Sequence, residues 1–526
     1  MVVSVSPEAS DAGREILRQG GSAVDAAVAT AFALAVTFPE AGNIGGGGFM
    51  IVAPPEGEPV CVDYRETAPA RASREMFAGQ RDGHTHLAVG VPGTVRGLAT
   101  AHEKFGKLRW SQLVGPAIRL ATDGFAVDRS LAQALNEQVR TAERFPELRR
   151  VFARPNGKPW QAGDRLIQQD LARTLQRIAD GGPQAFYQGP IADQLVAEMK
   201  AGGGLIDQAD LSGYAAVIRT PVHGTYRGFD LYCTPPPSSG GTCIIEMLNI
   251  LENFDLQRSG RWSPETVHLV IEAMRRAYCD RARYLGDPAF VEIPSRLITK
   301  EYARELSKTI DLNRATSSES LAPEIELAGE GTSTTHFSVV DSNGLAVSNT
   351  YTLQDSYGSR IVVRGGGYLL NNEMTDFNWR PGYTDREGKI GTAANVIAPG
   401  KRMLSSQSPV VVRRDGRTVF VTGSPGGRTI PNTVLCVLLD RLEFGLDVGA
   451  AVDGPRLHHA WFPDSVRLEP RALKLQPLLV EKLTALGHQV KVGKSPQGDA
   501  HSIEIRDGIF RGAADERRTA GKASGY

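Results

Sequence analysis

Gly331-Thr332-Ser333-Thr334-Thr335-His336-Phe337-Ser338-Val339-Val340-Asp341, with the run that returns beside it to Thr352, is the stretch on which the fold turns. Before it, residues 311–333 are rich in Ser, Ala and Glu without an apolar period, the pattern of a solvated loop. From Thr335 onward β-branched and aromatic residues recur at a period of two, as in a strand. Asp341-Ser342-Asn343-Gly344 is turn chemistry, and Leu345 to Leu353 reads as the returning strand of a hairpin.

The loop length sets the register. A two-residue Asn343-Gly344 loop sets Thr334 opposite Leu353. A three-residue loop from Ser342 to Gly344, with Gly344 left-handed, sets it opposite Thr352 and turns two Thr hydroxyls to one face. The second is preferred, because glycine takes the left-handed conformation without steric cost. A Thr hydroxyl is a weak nucleophile unless a base lies beside it. One solution is to make the residue a chain terminus, so that its own α-amine is the base. That amine has a reference pKa of roughly 7.7–8.0 and is partly neutral near pH 7. Cutting the peptide bond before Thr334 would create it. An ordinary hairpin, in which the threonines merely suit a strand, is the alternative reading of these residues.

Thr334-Thr335-His336-Phe337-Ser338-Val339-Val340-Asp341, followed by Tyr351-Thr352-Leu353 and Leu370-Asn371-Asn372-Glu373-Met374-x-Asp376-Phe377, resembles the small-subunit start of the gamma-glutamyltransferases. These are N-terminal-nucleophile hydrolases, and the resemblance runs from about Ser10 to Trp461. It implies an α+β fold, a four-layer αββα sandwich shared by two autoprocessed subunits, 1–333 and 334–526. It implies Thr334 as nucleophile, hydrogen-bonded by Thr352, with an oxyanion hole from the N–H groups of Gly426 and Gly427. Arg65, Ser405 and Ser406 would hold the α-carboxylate of a γ-glutamyl donor such as glutathione, and Glu373 and Asp376 its α-amino group. Water, amino acids or peptides would be the acceptors, with no cofactor or metal. Gln354 departs from the Asn of many members; it keeps an amide but adds a methylene, which puts its contact with the amino group in doubt. Glutaryl-cephalosporin acylases and small-acid amidohydrolases share the fold. An uncleaved protein that only binds a γ-glutamyl ligand is an alternative of another class.

Composition narrows the partners. The 526 residues carry 59 basic and 59 acidic side chains with no block of one sign, which argues against nucleic acid or an anionic membrane surface. Five scattered cysteines without a CxxC spacing form neither a disulfide framework nor a zinc site. Met1-Val2-Val3-Ser4 opens no signal peptide, whereas members of the family are commonly exported, so periplasmic, secreted and cytoplasmic readings all stand. Ala23 to Val36 is apolar nearly all round but shorter than the roughly 20 residues that span a bilayer; it reads as a buried helix capped by Ser22.

Other stretches carry weaker signals. The glycines at 45–48 suggest a backbone pressed against another element or a ligand, and no Gly-Lys-Ser/Thr follows to make a phosphate loop. Arg65 stands at a strand end, where a guanidinium either grips a carboxylate or simply forms a surface ion pair. His268, Glu272 and Arg276 share one face of a helix predicted over Pro264 to Tyr284, a packing row rather than a metal site. Tyr368-Leu369-Leu370 reads as a strand, and the turn Asn371 to Asp376 either meets an ammonium or is only a turn. Residues 379–392 suit a lid. Gly423-Ser424-Pro425-Gly426-Gly427, between a strand and a helix expected over Pro431 to Leu442, is where backbone N–H groups collect around an anion, but it lacks the first Gly of a GxSxG elbow.

Overall fold

The computed structural model describes residues 1–80, 82–322, 328–329, 335–389, 391–515, 517 and 521–526. Two antiparallel sheets lie face to face. The first runs Lys522–Ser524, Val2–Ser4, Thr335–Val340, Ala346–Thr352, Gly47–Ala53, Val60–Asp63, Val217–Arg219. The second runs Ile509–Ala514, His501–Arg506, Arg417–Thr422, Val410–Arg414, Phe229–Cys233, Val222–Tyr226. Alternate residues of the facing strands, among them Phe49, Ile51, Val340, Val411, Val421 and Ile503, close a dry layer between them. Helices cover both outer faces. Ala23–Thr37, buried at every position, packs under the first sheet with Pro7–Arg18 and Trp110–Asp123. Gly240–Leu251, Pro264–Tyr284 and Ile430–Leu438 cover the second. The order helix, sheet, sheet, helix is the αββα sandwich.

The hairpin has the three-residue loop. Val340 pairs with Ala346 and Thr335 with Tyr351, and Gly344 has φ 86°. Thr334 and Ser333 lie outside the described residues, so the pairing of the proposed nucleophile itself is not part of this ladder. The helix at 23 starts as read: Ser22 accepts from Asp25 N and Asp25 returns a bond to Ser22 N, a closed capping box.

Two elements differ from the sequence reading. Tyr368 to Leu370 is not a strand. The three glycines before it fold the chain back, and only single bridges form, Val362 with Leu369 and Gly45 with Leu370. The helix expected over 431–442 runs Ile430–Leu438, and Leu439–Glu443 is wound as a π-turn. There Asp440 pairs with Arg261 and Glu443 with Arg227, ion pairs that sequence period does not reveal. All five cysteines are buried and none is joined in a disulfide. Among the described residues no helix is long and apolar enough to cross a membrane.

Candidate active site

A cleft of about 630 Å³, its open mouth included, lies where the strand Ala346–Thr352 ends. Its walls include Arg65, Thr352, Gln354, Asp376, Ser405, Ser406 and Gly427. These residues come from five separated segments, on both sides of residue 334. Glu373 reaches the cleft through Arg65, and Gly426 stands one residue before the wall.

Arg65 follows the strand Val60–Asp63. Its backbone is aimed by Asp63, whose carboxylate accepts from Arg65 N at 2.9 Å and from Arg219 Nε at 2.7 Å. Tyr214 and Arg402 donate to its carbonyl. The buried guanidinium spans two acids: Nη1 lies 2.5 Å from Glu373, and Nη2 donates to Asp376. A third carboxylate, Glu66, sits 3.6 Å from Nη1. Burial works against the Arg65 charge, but Glu373, Asp376 and Glu66 outweigh it and hold its pKa above the ordinary value. The acids respond in the opposite sense. Burial pushes Glu66 up to about 7 and Glu373 well above the carboxylate range, although Arg65 pulls both down. One guanidinium does not balance three carboxylates, and the raised pKa values mean that protons on Glu66 and Glu373 make up the difference.

The glycine run makes room for this arrangement. A Cβ on Gly47 would meet Tyr64 O at 2.5 Å and Glu66 Oε2 at 2.7 Å, and one on Gly46 would overlap the Thr352 carbonyl. Both readings of the run therefore hold: the packing is tight, and what it packs against is the site. Thr352 is buried, and its Oγ1 accepts from Gln354 N at 2.8 Å. Gln354 has φ 82°, a strained conformation for a side-chain-bearing residue, and donates from Nε2 to Asp376 Oδ1 at 2.6 Å. Its longer side chain thus reaches an acid of the cluster.

The turn Asn371 to Asp376 divides its labour. Asn371 stitches backbone, donating to Gly45 O and Gly90 O and accepting from Glu373 N. Glu373–Asp376 is a single 3-10 turn that presents both acids to Arg65. Ser405 is fixed through its backbone, accepting from Ser239 N and donating to Pro237 O. Gly426 and Gly427, at φ 132° and 54°, lead into Gly427–Thr429 and the helix Ile430–Leu438. Of the segment read as a lid, Thr392 lines the cleft and donates to Ala282 O at 2.6 Å.

The His268, Glu272 and Arg276 row is a hydrogen-bonded packing face. Glu272 accepts from Arg276 at 2.5 Å and from Thr316 N at 3.0 Å. His268, Glu272 and His488 bring ligand atoms within 4.8 Å of one another. Their hydrogen bonds are already directed, however. Arg275 donates to His488 Nδ1, so His488 Nε2 donates to His268 Nδ1 at 2.7 Å, and His268 Nε2 to Asp311 O at 2.9 Å. Two arginines beside the one carboxylate oppose a cation.

Sequence reasoning missed Glu66, although it adjoins Arg65, and Arg281, Asn378, Asn395, Gln407 and Arg428, which also line the cleft. None sits in a pattern that separates it from packing or loop residues.

The stacked sheets, with a site at the rim of the central hairpin, place the molecule among the N-terminal-nucleophile hydrolases. A cephalosporin acylase from Bacillus halodurans superposes with a TM-score of 0.88 at 27% identity, covering 100% of this chain and 96% of that one. A gamma-glutamyltranspeptidase structure from Helicobacter pylori matches with a TM-score of 0.58 at 41% identity, over 60% of this chain and 92% of that one. The glutathione hydrolase proenzyme of Escherichia coli (strain K12) is 44% identical over 539 aligned residues, 100% of this chain and 92% of its own length. The family model for gamma-glutamyltranspeptidase matches residues 9–526. The chain belongs to the gamma-glutamyltranspeptidase family.

Proposed function

We propose that the protein is a glutathione hydrolase and γ-glutamyltransferase made as a precursor. The hydroxyl of Thr334 attacks the carbonyl carbon of Ser333, the C–N bond breaks, and water opens the resulting ester. Chains 1–333 and 334–526 remain folded together, and the freed α-amine of Thr334 becomes its base. Thr334 then attacks the γ-amide of glutathione or a related γ-glutamyl compound, expels the amine, and carries the γ-glutamyl group as an ester. Water releases glutamate; the amine of an amino acid or peptide takes the group instead.

In this reading Thr352 positions the nucleophile, and the N–H groups of Gly426 and Gly427 receive the oxyanion. Arg65, Ser405 and Ser406 take the α-carboxylate of the donor. Glu373 and Asp376, with Gln354 on Asp376, take its α-ammonium.

The observation that carries the choice of donor is the charge of the cluster. Glu66, Glu373 and Asp376 surround one guanidinium in a buried site, and an arriving α-ammonium brings a positive charge that replaces the protons Glu66 and Glu373 otherwise hold. A glutaryl group brings none. The test compares release of aniline from γ-glutamyl-anilide and glutaryl-anilide by the mature protein. A preference for γ-glutamyl of at least tenfold is expected; equal or preferred glutaryl turnover would make the protein an acylase.

A further inference from the structure

We propose that Arg281 is a positioning residue of the donor site: it orients the hydroxyl of Ser406 toward the substrate's α-carboxylate and supplies a second positive charge there. This rests on the γ-glutamyl reading above. Arg281 lies in the last turn of the helix Pro264–Tyr284, and its side chain reaches the cleft wall beside Ser405 and Ser406. It is only 9% exposed. Its Nε donates to Ser239 Oγ at 2.9 Å and its Nη2 to Ser406 Oγ at 3.1 Å. Among the described residues no carboxylate oxygen comes within the 4.0 Å of an ion pair with it.

The contrast with Arg65 is the point. Arg65 meets three carboxylates, whereas among the described residues the hydrogen-bond partners of Arg281, on the same cleft, are the hydroxyls of Ser239 and Ser406, and its charge reaches Asp376 only at longer range. A guanidinium held from water with no described carboxylate in contact keeps much of its positive potential for an arriving anion. The anion that Ser406 is read to bind is the donor's α-carboxylate.

Hydrogen-bond direction says what Arg281 does. A guanidinium only donates, and a hydroxyl has one proton and two lone pairs. Ser239 shows the consequence in full: its Oγ accepts from Arg281 Nε and passes its own proton to Ser405 O at 2.7 Å. Ser406 Oγ likewise accepts from Arg281, so its proton is left to donate into the cleft. The positive charge behind that hydroxyl polarises it and strengthens its donation to an anion. One side chain thus holds the backbone of Ser405, through Ser239, and sets the proton of Ser406 directly.

The test uses two donors that differ only in the α-carboxylate: γ-glutamyl-anilide and 4-aminobutanoyl-anilide. The readout is the ratio of their kcat/KM values, which a change in the amount of folded enzyme leaves alone. Arg281→Gln is expected to lower that ratio about 10- to 100-fold, mainly through KM for γ-glutamyl-anilide. A ratio unchanged from wild type, with both donors falling together, overturns the proposal and leaves Arg281 a packing residue. If Arg281→Gln yields no folded protein, Arg281→Lys takes its place. Its single nitrogen holds one serine of the two, so a drop of about tenfold is expected, and again an unchanged ratio overturns the proposal. Wild-type enzyme that turns over both donors equally refutes the γ-glutamyl reading itself, and the role given to Arg281 falls with it.

Discussion

Replacing Arg65 with lysine isolates what the shape of the guanidinium contributes, because the charge is kept. In the structure two nitrogens of Arg65 serve two different acids, Nη1 facing Glu373 at 2.5 Å and Nη2 facing Asp376. A third, Nε, approaches Met403 O at 3.4 Å. A lysine has one nitrogen on a flexible stem and can meet one of the two acids at full strength. One charge-assisted hydrogen bond, about 1.5–3 kcal/mol, is lost. The remaining acid is left to swing toward the ligand's ammonium or to take up a proton, and the second arm of the α-carboxylate grip disappears. At about 1.4 kcal/mol per factor of ten, Arg65→Lys should lower kcat/KM for γ-glutamyl-anilide roughly 10- to 150-fold. Most of the loss should appear in KM, since the contact is made to bound substrate and transition state alike. Arg65→Leu removes the charge from among three buried acids and should also destabilise the fold by about 3–5 kcal/mol. The assay is initial-rate aniline release, with the thermal midpoint measured beside it. Arg65→Lys within threefold of wild type would refute the two-nitrogen account.

Protonation of the acid cluster gives a second expectation. With Glu66 pushed up to about 7, a rising pH ionises it, and an ionised cluster attracts an α-ammonium more strongly. KM for the γ-glutamyl donor should therefore fall as pH rises through about 7, and Glu66→Gln should flatten that dependence; a profile identical in the two proteins would refute it. Gly426→Ala places a Cβ 2.6 Å from Thr429 Oγ1 on a backbone at φ 132°. Strain of about 1–3 kcal/mol and a displaced N–H should follow, with kcat lower on the order of 100–1000-fold if that N–H serves the oxyanion; activity within tenfold of wild type would remove Gly426 from the hole. Gly46→Ala, whose Cβ would overlap the Thr352 carbonyl, should lower the thermal midpoint and kcat together, and a variant with either one unchanged would contradict the close approach.

How much of this was legible in the chain differs from residue to residue. The hairpin register was legible because one residue, Gly344, distinguishes a three-residue loop from a two-residue one, and its φ of 86° is the conformation that loop requires. The buried helix at 23 was legible because its apolar residues and its Ser22 cap are both local. The glycines at 45–48 announced a close approach but not its object. That object is Thr352 and Glu66, and contact with Thr352 exists only once the strands Gly47–Ala53 and Ala346–Thr352 pair. Arg281 was illegible for the same reason carried further. It occupies the end of a helix on which Glu272 and Arg276 satisfy one another, and its bond to Ser406 joins residues 125 apart. Local period reports which face of an element is buried; it does not report which buried charge meets a distant hydroxyl rather than a carboxylate. The strand expected at Tyr368 failed because its apolar residues pack into the helical layer under the first sheet rather than into a ladder.

The intact mass of the polypeptides, taken under denaturing conditions for the wild-type protein and for Thr334→Ala, reaches the centre of the proposal. Two fragments with the masses of residues 1–333 and 334–526 are expected from the wild type, and a single 526-residue chain without transferase activity from Thr334→Ala. A wild-type protein that turns over γ-glutamyl-anilide while its backbone is whole, or a Thr334→Ala protein that still divides at the same bond, would contradict it.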